Sequence, residues 1–145
     1  MDDDPLFTPG FHNLENAMLE SNFVEPFPDS NIRSILLDRL RLFLEELKSF
    51  GVSVEVWIDG SFATRKTNPN DIDLALVLSK TEIEALPTST QSLLFAFLNR
   101  TIIKLRYQCD IYPFVNEDAD WRSYWRGWFG FDREERSKGI PRIFL

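Results

Sequence analysis

Between residues 30 and 51 the apolar positions Ile32, Ile35, Leu36, Leu40, Phe43, Leu44 and Leu47 recur at spacings of three and four. That spacing is one face of an α-helix. Ser30 stands where a helix N-cap is expected and Gly51 where a helix stops. The period then changes. Val52, Val54, Val56 and Ile58 alternate with Ser53, Glu55, Trp57 and Asp59, which predicts a strand. Residues 62–70 read as a polar loop with Asn68, Pro69 and Asn70. Residues 71–78 predict a second strand, with Ile72, Leu74, Leu76 and Leu78 toward the core. Residues 79–89 form a connection containing Pro87. A helix is expected near 90–100 on Leu93, Leu94, Phe97 and Leu98, and a third strand near 104–112, ending at Pro113. An acidic turn at 116–120, a short aromatic helix over 121–129, a polar loop at 132–139 and an extended piece at 140–145 complete the chain. Ahead of all this, residues 1–29 hold Pro5, Pro9, Pro26 and Pro28 and read as an extended arm with a short helix near 13–21. The order α, β, β, α, β predicts an α/β or α+β class, with helices packed on a small mixed β-sheet. It divides the chain into an arm (1–29), a core (30–115) and an aromatic and basic extension of the same domain (116–145).

The candidate chemistry sits where the two predicted strands meet. Gly60-Ser61 leaves the first strand; after nine intervening residues Asp71-Ile72-Asp73-Leu74 opens the second. Side chains alternate across a strand, so Asp71 and Asp73 share a face. Adjacent carboxylates repel unless a cation lies between them, and hard divalent ions such as Mg²⁺ join carboxylates to substrate phosphates. A Gly-Ser turn offers free N–H groups, close backbone approach and a hydroxyl, which suits a phosphate. The pair reads as a nucleotide–metal site.

This arrangement resembles the nucleotidyltransferase superfamily related to DNA polymerase β, in which Gly-Ser, a spacer of similar length and Asp-x-Asp form the signature. The resemblance covers roughly residues 52–115. It implies a third carboxylate on a later strand, and Asp110, 37 residues after Asp73, is the candidate. By that resemblance Asp71, Asp73 and Asp110 hold Mg²⁺ or Mn²⁺, and Asp110 also serves as general base. Gly60 and Ser61 bind the β- or γ-phosphate, and Arg65 and Lys66 in the loop neutralise the triphosphate. The implied reaction moves a nucleoside monophosphate from a nucleoside triphosphate, most often ATP, to a hydroxyl on a protein or small RNA. The chain's size resembles the small stand-alone members found in toxin–antitoxin pairs. The alternative is a silent member of the fold that acts by contact with a partner.

Composition narrows the setting. Thirteen Phe and 43% apolar residues support a folded core. A net charge of −7 argues against a general nucleic-acid binder. The single cysteine, Cys109, cannot form an internal disulfide, so a cytoplasmic location is expected. No apolar run reaches the roughly 18 residues of a membrane span. In the last thirty residues, Trp121, Trp125 and Trp128 with Arg122, Arg126, Arg133, Arg136, Lys138 and Arg142 suggest either RNA contacts or a core-and-surface arrangement, and the latter is favoured. The aromatics also suggest a homo- or hetero-oligomer contact. His12, the one histidine, reads as structural. Phosphate loops of the Gly-x-x-x-x-Gly-Lys type and dinucleotide fingerprints are absent.

Overall fold

Five strands form one mixed sheet in the order β1-β5-β2-β3-β4. In this computed structural model, which describes residues 4–131 and 136–145, the strands are β1 (Gly10–Asn13), β2 (Val54–Asp59), β3 (Ile72–Leu78), β4 (Cys109–Val115) and β5 (Gly139–Phe144). β2 runs antiparallel to both β3 and β5; β3 pairs β4 and β1 pairs β5 in parallel. The helices are α1 (Leu19–Phe23), α2 (Arg33–Lys48), α3 (Lys80–Glu84), α4 (Thr88–Phe97), α5 (Arg100–Tyr107) and α6 (Ala119–Phe129). None of the described helices is long and apolar enough to cross a membrane.

The expected α/β class holds, with helices on both faces of the sheet. On one face Ile72, Leu74, Leu76 and Leu78 meet Leu36, Leu40, Phe43 and Leu47 of α2 in the larger core. The opposite face is also covered. Trp57, which alternation places among the polar positions, is fully buried there with Ala75, Val77, Phe114, Ile140 and Phe129 of α6. Central strands buried on both faces lose clean alternation, so the sequence shows only one of the two cores.

Three expectations change. Residues 100–107 are helical, not the start of a strand. Asn99 accepts the Ile102 N–H at 3.1 Å, Ile103 and Tyr107 bury one helical face, and Gln108 ends the helix in the left-handed region at φ 52°. A short alternating run fits either period, and here the cap decides. The third strand therefore starts at Cys109 and continues through Pro113 to Val115. β4 is an edge strand, where the missing N–H of a proline is tolerated. Finally, the extended piece at 140–145 is β5, which lies between β1 and β2 and so draws the arm and the tail into the sheet.

The loop after β2 is fixed by one buried side chain. Arg33, at the start of α2, is wholly inaccessible to solvent. Its guanidinium donates to the carbonyls of Phe23 (3.0 Å), Phe62 (2.8 Å), Thr64 (2.7 Å) and Lys66 (2.6 Å). Phe27 packs 3.7 Å from its centre, with Phe62 on another side at 5.2 Å. Burial lowers its pKa to about 10, which leaves it charged at neutral pH. Ile32, not Ser30, stands at the N-cap of α2, but Ser30 still supports the helix start: its Oγ accepts the Arg33 N–H at 3.0 Å and donates to Asn68 at 3.2 Å. Replacing Arg33 with Met strands several buried carbonyls. The expected loss in urea-unfolding stability is about 3–5 kcal/mol. Arg33→Lys keeps the charge but not the planar fork, and should recover only part of that loss.

Candidate active site at the carboxylate end of the sheet

The register of the sheet places Asp59 of β2 opposite Asp73 of β3, and Asp73 opposite Asp110 of β4. Residues paired across strands point to the same face, so three carboxylates form a row at one end. Asp71 lies just ahead of Asp73, on the same side. Asp71, Asp73 and Asp110 were legible as candidates. Asp59 was not, because the strand pattern alone gave no reason to single out its last residue.

Gly60 makes this row feasible. Its φ of +76° is a region that side chains avoid, and a Cβ placed on it would lie 2.5 Å from Asp73 Oδ2. Ser61 then opens a single 3₁₀ turn, Ser61–Ala63. The Ser61 carbonyl accepts from the Thr64 hydroxyl at 2.7 Å, and Arg33 holds the next carbonyls, which fixes the backbone beside Asp73. Gly60 and Ser61 thus join the carboxylates in one place. Arg65 and Lys66 do not. Their backbone is pinned, the Arg65 N–H to the Asp4 carbonyl at 2.9 Å and the Lys66 carbonyl to Arg33. Among the described residues neither side chain forms an ion pair with these carboxylates.

Other cations stand there instead. Arg100 Nη2 donates to Asp110 Oδ1 at 2.7 Å. Lys104 Nζ lies 3.6 Å from Asp71 and 3.9 Å from Asp110. Arg100 and Lys104 are one turn apart on α5, the helix that feeds β4; a basic pair at that spacing just before Asp110 was the available signal, masked by the expectation of a strand. From the tail, Lys138 reaches in to pair with Asp59. Arg122 and Arg142 both bond the largely buried Glu55 (3.2 and 2.9 Å) and are not a solvated surface, Trp121 and Trp128 are exposed rather than in the core, and Arg133 lies outside the described residues. Burial works to raise the Glu55 pKa, but hydrogen bonds from Arg122, Trp57 and Arg142 outweigh it and hold the group below its usual range. His12 Nε2 donates to the Thr8 carbonyl oxygen at 2.6 Å, and its ring lies against Phe7.

The electrostatics of the row are unfavourable as it stands. Burial, then repulsion from Asp71, Asp59 and Asp110, raises Asp73 from 3.8 to about 6. Burial also raises Asp59, against the pull of Lys138, and pushes the buried Cys109 thiol up to about 12. The donor chemistry, carboxylate oxygens crowded at a polar turn, fits a hard divalent cation. As placed, no three ligating side chains among the described residues already enclose an ion. The Lys104 ammonium lies between Asp71 and Asp110.

Residues 1–144 match a family model. The chain belongs to the Family of unknown function DUF6932. No curated protein and no solved structure matches it. The chemistry of this DUF6932 chain is therefore argued from the row itself.

Two outcomes follow from the geometry. Gly60→Ala adds both the positive-φ strain and the contact with Asp73, and should lower stability by about 1–3 kcal/mol in thermal or urea unfolding. For Asp73 the folded pKa lies above the unfolded one. Between about pH 4 and 6 the folded state keeps a proton that the unfolded chain has lost, so stability falls as pH rises through that window. In EDTA, Asp73→Asn should be more stable than wild type at pH 7.5, by about 1–2 kcal/mol after solvent screening, and equal to it near pH 4. A constant difference across pH would contradict the assignment.

Proposed function

We propose that the chain is a metal-dependent nucleotidyltransferase, moving a nucleoside monophosphate from a nucleoside triphosphate, ATP foremost, to an acceptor hydroxyl on a protein or RNA. The observation that supports this most is the alignment of Asp73 with Asp110 across paired strands, beside a glycine turn that no side chain could occupy. It agrees with the resemblance of Gly60-Ser61 and Asp71-Ile72-Asp73 to the polymerase β-related superfamily.

In this reading the N–H groups and hydroxyl of the Gly60–Ser61 turn bind and orient the triphosphate. Asp71, Asp73 and Asp110 are the residues that would hold Mg²⁺ or Mn²⁺. When bound, such an ion supplies charge neutralisation at the phosphates and a more acidic acceptor hydroxyl. Asp110, on the edge strand, takes the hydroxyl proton. The acceptor oxygen bonds to the α-phosphorus as the bond to the bridging oxygen breaks, and pyrophosphate leaves. Arg100 and Lys104 release the carboxylates they now pair with and turn to the anionic substrate. A toxin–antitoxin or defence pair is the setting that the resemblance suggests.

The purified chain, incubated with each α-labelled nucleoside triphosphate, Mg²⁺ or Mn²⁺ and extract of its source, should transfer label to a protein or RNA band. The Asp71→Asn/Asp73→Asn double variant should transfer none while remaining folded. Absence of label with every nucleotide, from folded protein, overturns the transferase and favours a contact protein that works through its exposed aromatic residues.

A further inference from the structure

Beside Asp110 the same face of the sheet opens into a cleft of about 480 Å³ between β4 and α6. Its walls include Arg100, Tyr112, Pro113, Trp121 and Trp125. Pockets of several hundred Å³ are the size that holds a small organic ligand. The aromatic walls are arranged, not merely numerous. The rings of Trp121 and Trp125 are within 17° of parallel, with centroids 6.4 Å apart, and Tyr112 lies 4.8 Å from Trp125. Trp125 is anchored against Phe129 of the second core, whereas Trp121 is 51% exposed, a large apolar ring left facing solvent.

The polar end of the cleft carries Arg100, which is ion-paired with Asp110 of the carboxylate row. Arg100 lies over the Tyr112 ring at 4.6 Å and donates to Asp110 at 2.7 Å. The Tyr112 hydroxyl donates to Asp110 Oδ2 at 3.0 Å. A guanidinium carries five N–H donors in a fork that suits phosphate. Asp118, the acidic residue of the lining, caps α6 by accepting the Trp121 N–H at 3.1 Å.

We infer that this cleft binds a nucleotide: the planar base stacks on Trp121 and Trp125, and its phosphate meets Arg100. Stacking on aromatic rings is open to every base, since each has a π-face. A cationic ligand would also suit the rings but is repelled by Arg100. An aromatic amino-acid side chain would fill the rings but bring no anion to Arg100. The site is separate from the Gly60–Ser61 turn. One nucleotide on an acidic chain needs no long basic tract. Joined to the transferase reading, on which this last step alone rests, the cleft seats the terminal nucleotide of an RNA acceptor with its ribose hydroxyl toward Asp110.

The test is calorimetric titration of the intact chain with the four nucleoside monophosphates in EDTA, beside inorganic phosphate, the matching nucleosides and a tyrosine-containing peptide. A monophosphate should bind in preference to phosphate or nucleoside alone. Trp121→Ala, at an exposed position, should weaken it about tenfold or more. Arg100→Gln should weaken the monophosphate and leave the nucleoside unchanged. Asp71→Asn/Asp73→Asn should bind it at least as well as wild type. Absence of nucleotide binding, a preference for the peptide, or binding that is insensitive to Trp121 and lost in the double aspartate variant would each overturn the inference. If the monophosphate binds as described and the labelled-triphosphate assay gives no transfer, the transferase reading fails while the cleft stands. If transfer occurs and Trp121→Ala leaves both binding and acceptor use unaltered, the cleft assignment fails alone.

Discussion

Arg33 is the constraint from which the working end of this molecule follows. A charged fork placed in a dry interior is costly unless its donors are met, and here they are met by the carbonyls of one short stretch, Phe62 to Lys66, with Phe23 from the preceding segment. The N–H groups of the same peptides are engaged as well, Ala63 donating to the Gly60 carbonyl at 3.1 Å and Arg65 to the Asp4 carbonyl at 2.9 Å. The turn after β2 thus acquires a set shape from both sides. The side chain that shapes the site meets it only through the backbone, at the Ser61 carbonyl 3.4 Å from Nη2.

The second organising fact is that one sheet face does two jobs along its length. Toward the middle it is a packed core of Trp57, Ala75, Val77 and Phe114 under α6. Toward the end where β2 finishes and β3 and β4 begin, the same rows of positions become Asp59, Asp73 and Asp110. The change from apolar to acidic takes place within one residue pair on each strand. A low-dielectric wall therefore adjoins the carboxylates, which is why their mutual repulsion is felt so strongly and why Asp73 holds its proton to about pH 6.

Much of this was legible in the sequence where a single periodicity ruled. The long helix, β2, β3 and the Gly60-Ser61 to Asp71-Ile72-Asp73 spacing were all visible, because each is a local pattern. Asp110 was found through the expectation of a third acid, although the segment ahead of it was assigned the wrong period: a Lys-Leu-Arg-Tyr run alternates as well as it spirals, and the asparagine cap at Asn99 settled the matter. What was hidden is non-local. Asp59 matters because of register across strands, Lys138 because β5 enters the sheet beside β2, and Trp57 because a helix more than sixty residues downstream covers it. Arg65 and Lys66 were selected for proximity in sequence, while the cations at the carboxylates come from α5 and the tail.

The position of β5 has a consequence for how the chain reaches this state. β1 meets the rest of the sheet only through β5, with Gly10 set against Gly139 and Trp57 against Arg142. During synthesis β2, β3 and β4 can assemble as soon as they emerge, but β1, made long before them, has no partner until the last strand of the sheet arrives. Until then β2 presents an open edge and Trp57 lacks part of its cover. Closing so long a loop is an entropic cost met late, and pairings of this separation fold slowly. Nascent chains in that interval expose a sheet edge beside an uncovered indole, the kind of surface that chaperones and aggregates both recognise.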